Sequence, residues 1–227
     1  MKICVLGTGM VGQTHAGKLA SLGHEVMVGT RDPEKTIART ENDSMGNPPF
    51  SQWHKSHPGV KLGTFAEAAG HGELIINATK GEAALEILKM AGEKNLEGKI
   101  LMDISNPLDF SKGMPPSLSV CNTDSLGESI QRTFPKARVV KALNTMNAHL
   151  QANPKELAGG DHHAFVSGND ADAKKAVMEH LKSWYGWSNI IDLGDITTAR
   201  GTEMLLPIWL RLWGALQTPQ FNFKIVR

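Results

Sequence analysis

The chain has 227 residues, room for one domain or one and a half at roughly 150 residues each. Its 24 Lys and Arg against 23 Asp and Glu leave a formal charge of +1, which argues against a strongly electrostatic binder of nucleic acid or acidic membranes. The composition, 41% hydrophobic and 21% charged, excludes wholesale disorder, and two cysteines, Cys4 and Cys121, cannot form a disulfide scaffold and read as reduced and buried.

Lys2 to Leu6 is a short apolar run ending in glycines, the pattern of a buried parallel strand. It is too short for the core of a signal peptide, and nothing approaches the ~20 apolar residues of a membrane span, so a cytoplasmic protein with no membrane partner is expected. Met10 to Leu22 reads as a helix closed by Gly23, and Glu25 to Gly29 as a second strand. Asp32-Pro33-Glu34-Lys35 starts a helix, with Asp32 as N-cap and Pro33 at the first position.

Residues 41 to 59 form a long insertion rich in Asn, Gly and Pro, with Phe50, Trp53, His54 and His57 inside it. Beyond it, strands are expected at Val60–Leu62, Leu74–Asn77, Ile100–Ile104 and Arg138–Leu143. Helices are expected at Phe65–Ala69, Glu82–Ala91 and Asp124–Phe134, the last with Asp124 near its start. Strands alternating with helices imply an α/β fold with a doubly wound parallel sheet. The remainder reads as a small C-terminal α/β extension: strand His163–Ser167, helix Ala171–Trp184, strand Asn189–Leu193, a long helix Thr197–Leu216 kinked at Pro207, and an extended tail. The expected division is a dinucleotide-binding domain at 1–150 and a smaller lobe at 151–227.

Gly7-Thr8-Gly9-Met10-Val11-Gly12 spells GxGxxG between an apolar strand and a helix, the context in which the motif has meaning. Gly7 permits the tight turn, Gly9 lets the backbone approach a pyrophosphate, and Gly12 lets helix pack on strand. The helix N-terminus supplies N–H groups and a positive dipole end for the anion. Gly12-Gln13-Thr14-His15-Ala16-Gly17-Lys18-Leu19 nearly spells a P-loop, but Leu19 stands where a magnesium-binding hydroxyl is needed and the stretch lies inside a helix.

At the end of the second strand, an NAD site places an acid against the ribose 2′-hydroxyl, whereas this chain has Gly29-Thr30-Arg31. The Thr30 hydroxyl and Arg31 guanidinium suit a 2′-phosphate, and Lys35 adds a cation one turn on, so NADP(H) is expected over NAD(H). Three further strand ends are polar: Asn77-Ala78-Thr79, Ser105-Asn106-Pro107 and Asn144-Thr145-Met146. They are candidates to line the nicotinamide half, with Ala78, Thr79, Asn106 and Asn144 as contact residues; each reads equally as a turn cap.

Other chemistries are missing. The single tyrosine, Tyr185, is followed four residues later by Asn189, so the Tyr-x-x-x-Lys pair of short-chain dehydrogenases is absent. His54-x-x-His57 and His162-His163 lack any zinc spacing around them, and no metal is expected. No catalytic residue can be assigned. Carbonyl reduction needs a proton donor, whereas hydride transfer between a nicotinamide and a flavin-like ring needs mainly orientation.

GTGMVG, GHEVMVGTRDPEK, the Asn77-Ala78-Thr79 strand end, Ile104-Ser105-Asn106-Pro107-Leu108, Lys141-Ala142-Leu143-Asn144-Thr145-Met146 and the GDITTARG segment with its following helix together resemble the coenzyme F420-dependent NADP oxidoreductases. The same domain type resembles the NADPH-binding part of metalloreductases. The resemblance implies a Rossmann lobe that binds NADP(H), with the 2′-phosphate on Thr30, Arg31 and Lys35. It further implies a deazaflavin (F420) or flavin co-substrate beside the nicotinamide, with Thr79, Asn106 and Asn144 flanking the rings, and a homodimer formed through the 197–216 helix. The 41–59 insertion exceeds what archetypal archaeal members carry. Two other readings stand beside this one: reduction of a small carbonyl or imine with a His as proton donor, and an NADPH-binding sensor without turnover.

Overall fold

The computed structural model describes residues 1–43 and 46–227; Ser44 and Met45, within the 41–59 insertion, lie outside the described residues. The first half alternates regularly: β1 (Lys2–Leu6), α1 (Met10–Ser21), β2 (Glu25–Thr30), α2 (Pro33–Ala38), α3 (Phe50–Lys55), β3 (Lys61–Thr64), α4 (Phe65–His71), β4 (Leu74–Asn77), α5 (Gly81–Ala91), α6 (Glu93–Leu96) and β5 (Ile100–Asp103). A small antiparallel hairpin, β6 (Leu108–Asp109) and β7 (Ser117–Leu118), follows; the sequence reading had no element there. Then come α7 (Leu126–Thr133), β8 (Arg138–Ala142), α8 (Ala148–Ala152), β9 (Ala164–Gly168), α9 (Ala171–His180), β10 (Ile190–Gly194), α10 (Ala199–Met204) and α11 (Leu206–Leu216).

Eight strands form one sheet in the order β10-β9-β8-β5-β4-β1-β2-β3. Every neighbouring pair is parallel except β8 with β9, which run antiparallel with Lys141 opposite Ser167. The doubly wound α/β sheet is therefore present, and the C-terminal strands extend it through that antiparallel link.

Successive side chains on a strand point to opposite faces. Ile3 and Val5 enter the core shared with α1 and α8, while Cys4 and Leu6 enter the one shared with α4 and α5. Burial pushes the Cys4 thiol well above its ordinary pKa, so it is an inert apolar filler. Cys121 was expected to be buried as well; it is exposed, because it lies in the irregular run between β7 and α7 rather than on a strand.

Asp32 caps α2 as the sequence implies, accepting from the Lys35 amide at 3.0 Å. At α7 the cap is Ser125, whose hydroxyl accepts from Glu128 N, and not Asp124, which instead takes both guanidinium nitrogens of Arg132. The long helix expected over 197–216 breaks at Leu205 into α10 and α11, with Pro207 in the first turn of α11 where its missing N–H costs nothing. Similarly, α9 ends at His180 and widens into a π turn that closes at Gly186.

Candidate functional site

The chain leaves β1 toward one side of the sheet and arrives at β4 on the other, so a crevice opens where the C-terminal ends of β1 and β4 lie side by side. The loop after β1 sits in it. Gly7 has φ +114°, and a Cβ there would come within 2.7 Å of the Ala78 carbonyl oxygen at the end of β4. A Cβ on Gly12 would sit 2.1 Å from Gly7 O, so the start of α1 can pack on the loop only through glycine. Gly9 differs: nothing in the protein lies within 4 Å of the Cβ position. No side chain caps α1, and its first turn carries no acid. The backbone N–H groups thus face open space with the helix dipole behind them, an arrangement that fits a dinucleotide pyrophosphate.

A cleft of about 900 Å³ runs from this loop, lined by Gly7, Thr8, Gly9, Met10, Thr30, Ala78 and Thr79 among the predicted residues. Its far wall is the insertion, which contributes Pro48, Pro49, Phe50 and Trp53. Trp53 stacks on His57, and both lie against Gly17 of α1, so α3 is held to α1 by ring contact. Val11 and Gly12 stand behind the lining, with Val11 packed on the core. Two more open grooves, beside Arg132 and Arg138 and between Met114 and Trp213, contain none of the predicted site residues.

At the C-terminal end of β2, Thr30 is buried and its hydroxyl is shared with Thr36 at 2.9 Å. Arg31 is two-thirds exposed and reaches Glu86 of α5, Nη2 to Oε1 at 2.9 Å. Lys35 lies at the surface with Nζ 3.1 Å from Asp32 Oδ2. Both cations expected at the 2′-phosphate therefore hold carboxylates here. Arg39 also lines the cleft, and sequence reasoning passed over it.

At the C-terminal end of β4, behind the Ala78 and Thr79 lining, Asn77 organises the strand tops. Its Oδ1 accepts from Thr79 Oγ1 at 2.7 Å, and its Nδ2 donates to Asp103 Oδ1 at 2.8 Å. Asn106 and Asn144, which do not line the cleft, pair with each other. Asn106 Nδ2 donates to Asn144 O and Asn144 Nδ2 to Asn106 Oδ1, both at 2.9 Å, tying the segment after β5 to the one after β8. A Cβ on Gly81 would meet Asn106 O at 1.9 Å, so the start of α5 is wedged against the same loop.

Beneath this pair lies a buried ion cluster that sequence reasoning missed. Lys141 Nζ contacts Asp103 Oδ2 at 2.6 Å, Glu203 Oε1 at 2.7 Å and Ser105 O at 2.7 Å. Burial by itself would lower the lysine pKa, but the two carboxylates outweigh it and hold the group above its ordinary value. Glu203 of α10 also accepts from the Leu126 and Gly127 amides, which anchors the C-terminal helices to the start of α7. An unusual lysine in the apolar strand β8 was the available signal; its partners could not be read.

The histidines of the insertion turn to the backbone. His54 Nε2 bonds Val60 O at 2.7 Å and His57 Nδ1 bonds Trp53 O at 2.9 Å. Among the described residues, no group of three His, Cys, Asp or Glu side chains could hold a metal, and no helix is long and apolar enough to cross a membrane.

Comparison with known proteins agrees with this geometry. Residues 2–107 match the family model described as NADP oxidoreductase, coenzyme F420-dependent. The crystal structure of a candidate F420-dependent NADP-reductase from Arthrobacter sp. FB24 is 63% identical, covers 100% of both chains and superposes with a TM-score of 0.96. The F420-dependent NADP reductase of Methanothermobacter marburgensis is 29% identical over 217 residues, 93% of this chain and 92% of that one. The metalloreductase STEAP3 of Rattus norvegicus is also 29% identical, over 214 residues; the match covers 92% of this chain but spans only 38% of that relative's length. The chain belongs to the F420-dependent NADP oxidoreductase family and is an NADP-dependent oxidoreductase with a Rossmann-like fold.

Proposed function

We propose that the protein passes a hydride between NADPH and a deazaflavin or flavin ring, with coenzyme F420 as the first candidate. The observation that carries this reading is the chemistry of the cleft. Among its described lining residues the ionisable ones are Arg39, Asp43 and Lys80, with no His, Tyr or Cys. Ring-to-ring hydride transfer requires no proton donor at the reacting carbon, whereas reduction of a carbonyl does. His54 and His57, the donors such a reduction would use, each hold a backbone carbonyl through one ring nitrogen and neither lines the cleft.

Bound NADPH supplies the hydride from its nicotinamide. The chain supplies the rest. In our reading the 7–12 loop and the α1 N-terminus hold the pyrophosphate, and Thr30, Arg31 and Lys35 hold the 2′-phosphate. Ala78, Thr79, Asn106 and Asn144 set the plane of the ring. The rate then comes from holding two rings face to face and excluding water. The division at residues 150/151 gives the second lobe the acceptor side. Ile208 and Leu216, 47% and 53% exposed on α11, support a homodimer through that helix.

Anaerobic stopped-flow with NADPH tests the reading, with F420, FMN and FAD offered separately. Rapid, saturable oxidation of NADPH by one of them is the expected result. Binding of NADPH with no acceptor reduced faster than in buffer would refute hydride transfer to a ring.

A further inference from the structure

The stretch of α1 that imitates a P-loop contains a residue the site has not yet used. His15 is wholly buried, and both of its ring nitrogens are engaged. Nε2 lies 3.0 Å from Gln151 Oε1 of α8, and Nδ1 lies 2.8 Å from the Tyr185 hydroxyl. The amide of Gln151 is committed on its other side: Nε2 donates to Leu143 O at 2.9 Å and to Met146 O at 3.2 Å. The backbone of Gln151 is held as well, its carbonyl accepting from Trp187 Nε1 at 3.0 Å.

These partners fix every proton. Gln151 Nε2 donates twice, so Oε1 faces the histidine. A carbonyl oxygen only accepts, so His15 carries its proton on Nε2. Nδ1 is then the acceptor, and Tyr185 donates to it. The chain of bonds closes with no polar atom of His15 or Gln151 left over, as a buried polar network requires.

The network ends on the turn that matters. Leu143 and Met146 bracket Asn144 and Thr145, and Leu143 has φ +58°, a conformation a leucine resists. Gln151 donates to the carbonyls at both ends of that turn. Asn144 in turn is paired with Asn106. His15 lies on the same helix that presents Gly9 to the pyrophosphate. One side-chain bridge therefore connects the phosphate-binding helix to the turn assigned to the nicotinamide.

We propose that Gln151, oriented by His15 as its Nε2–H tautomer, is a positioning residue for hydride transfer: it fixes the Leu143–Met146 turn, and with it the Asn144–Asn106 pair, at a set distance from the helix that holds the cofactor. This rests on the assignment of Asn144 to the ring-binding end made above. Gln151 does not touch the reacting atoms in this account. Its loss should leave phosphate binding intact and loosen the ring alone.

The experiment uses full-length protein. Nitrogen-15 NMR of the labelled chain should show His15 Nδ1 as the unprotonated nitrogen and Nε2 as the protonated one; the reverse tautomer overturns the assignment. Wild type is then assayed with NADPH and each of F420, FMN and FAD. If none is reduced, the hydride reading fails and the positioning role falls with it. With an active wild type, Gln151→Leu should lower kcat at least tenfold, leave the NADPH dissociation constant within threefold, and raise the isotope effect from 4-deuterated NADPH. His15→Gln, which keeps an amide N–H toward Gln151, should retain activity within threefold, while His15→Phe should not. Parallel loss of kcat and NADPH affinity in folded Gln151→Leu, or an unchanged kcat, overturns the positioning role alone. If Gln151→Leu does not fold, the His15 pair decides by the same split.

Discussion

Arg31 Nη2 lies 2.9 Å from Glu86 Oε1, so the guanidinium proposed for the ribose phosphate already holds a carboxylate of α5. Both groups are about two-thirds exposed, and an exposed pair of this kind is worth only ~0–1 kcal/mol. A phosphate dianion can therefore displace Glu86. Replacing Arg31 with Ala should raise the KM for NADPH by roughly 10- to 100-fold, since a charge-assisted hydrogen bond contributes ~1.5–3 kcal/mol. The KM for NADH should change less than about twofold. Glu86→Gln should tighten NADPH by about two- to fivefold, the scale of the pair it removes. Steady-state kinetics with both cofactors measures all three, and equal losses with NADPH and NADH in Arg31→Ala would remove the specificity claim.

Two glycines of the loop should respond in opposite ways. Gly12→Ala forces a methyl to 2.1 Å from Gly7 O and should destabilise the fold by about 1–3 kcal/mol, in the range of overpacked sites. Gly9→Ala meets no protein atom and has φ −75°, which alanine adopts freely. It should melt like wild type yet bind NADPH at least about tenfold more weakly, because the methyl stands where the pyrophosphate would approach. Thermal melts with and without NADPH separate the two; a Gly9→Ala protein that binds normally would place the phosphates elsewhere.

Burial pulls the His15 pKa down to about 4 from an ordinary 6.5. Above pH 6.5 neither folded nor unfolded chain protonates it, so it costs no stability there. As pH falls from 6.5 toward 4 the unfolded chain takes up a proton that the folded chain refuses, and stability drops by roughly 3 kcal/mol. Burial also lowers His180, so the quantity to measure is the difference between wild type and His15→Phe. Urea titrations at pH 7 and pH 4.5 should show the variant losing less stability on acidification; parallel losses would show that His15 is charged in the folded state.

Lys141 sits between Asp103 and Glu203, all three buried. Lys141→Met leaves two carboxylates without their cation and should cost about 3–5 kcal/mol. Adding Asp103→Asn and Glu203→Gln to the same chain should recover a large part of that loss, because the uncompensated charges are gone. Urea midpoints of the single and triple variants test this. A triple variant no more stable than the single one would mean that the cluster acts through its hydrogen bonds to Leu126, Gly127 and Ser105 rather than its charge.

The local geometry that the sequence predicts and the structure shows is that built within one stretch of chain. The GxGxxG spacing, the strand before it and the helix after it place Gly7 to Gly12, because turn, close approach and packing are all decided over six residues. Asp32 with Pro33 marks the start of α2 for the same reason. Where two neighbouring residues offer the same local signal, spacing alone does not choose between them. Asp124 and Ser125 can both cap a helix; Ser125 does so, while Arg132, two turns later, holds the Asp124 carboxylate. Cys121 looks like any small apolar residue in the sequence, and its exposure depends on an irregular segment whose path no periodicity records.

The sequence by itself determined the α/β alternation, the glycine-built turn between β1 and α1, and a basic end of β2 without an acid, the basis of the proposed 2′-phosphate site. Each depends on backbone conformation and charge within a few neighbouring residues. The tertiary structure decided that β9 runs antiparallel to β8, that Arg31 meets Glu86, that Lys141 meets Glu203, and that His15 meets Gln151 across a separation of 136 residues. Such pairings depend on the order in which strands are laid into the sheet. That order follows from burying both faces at once, a condition on the whole chain that no local pattern contains.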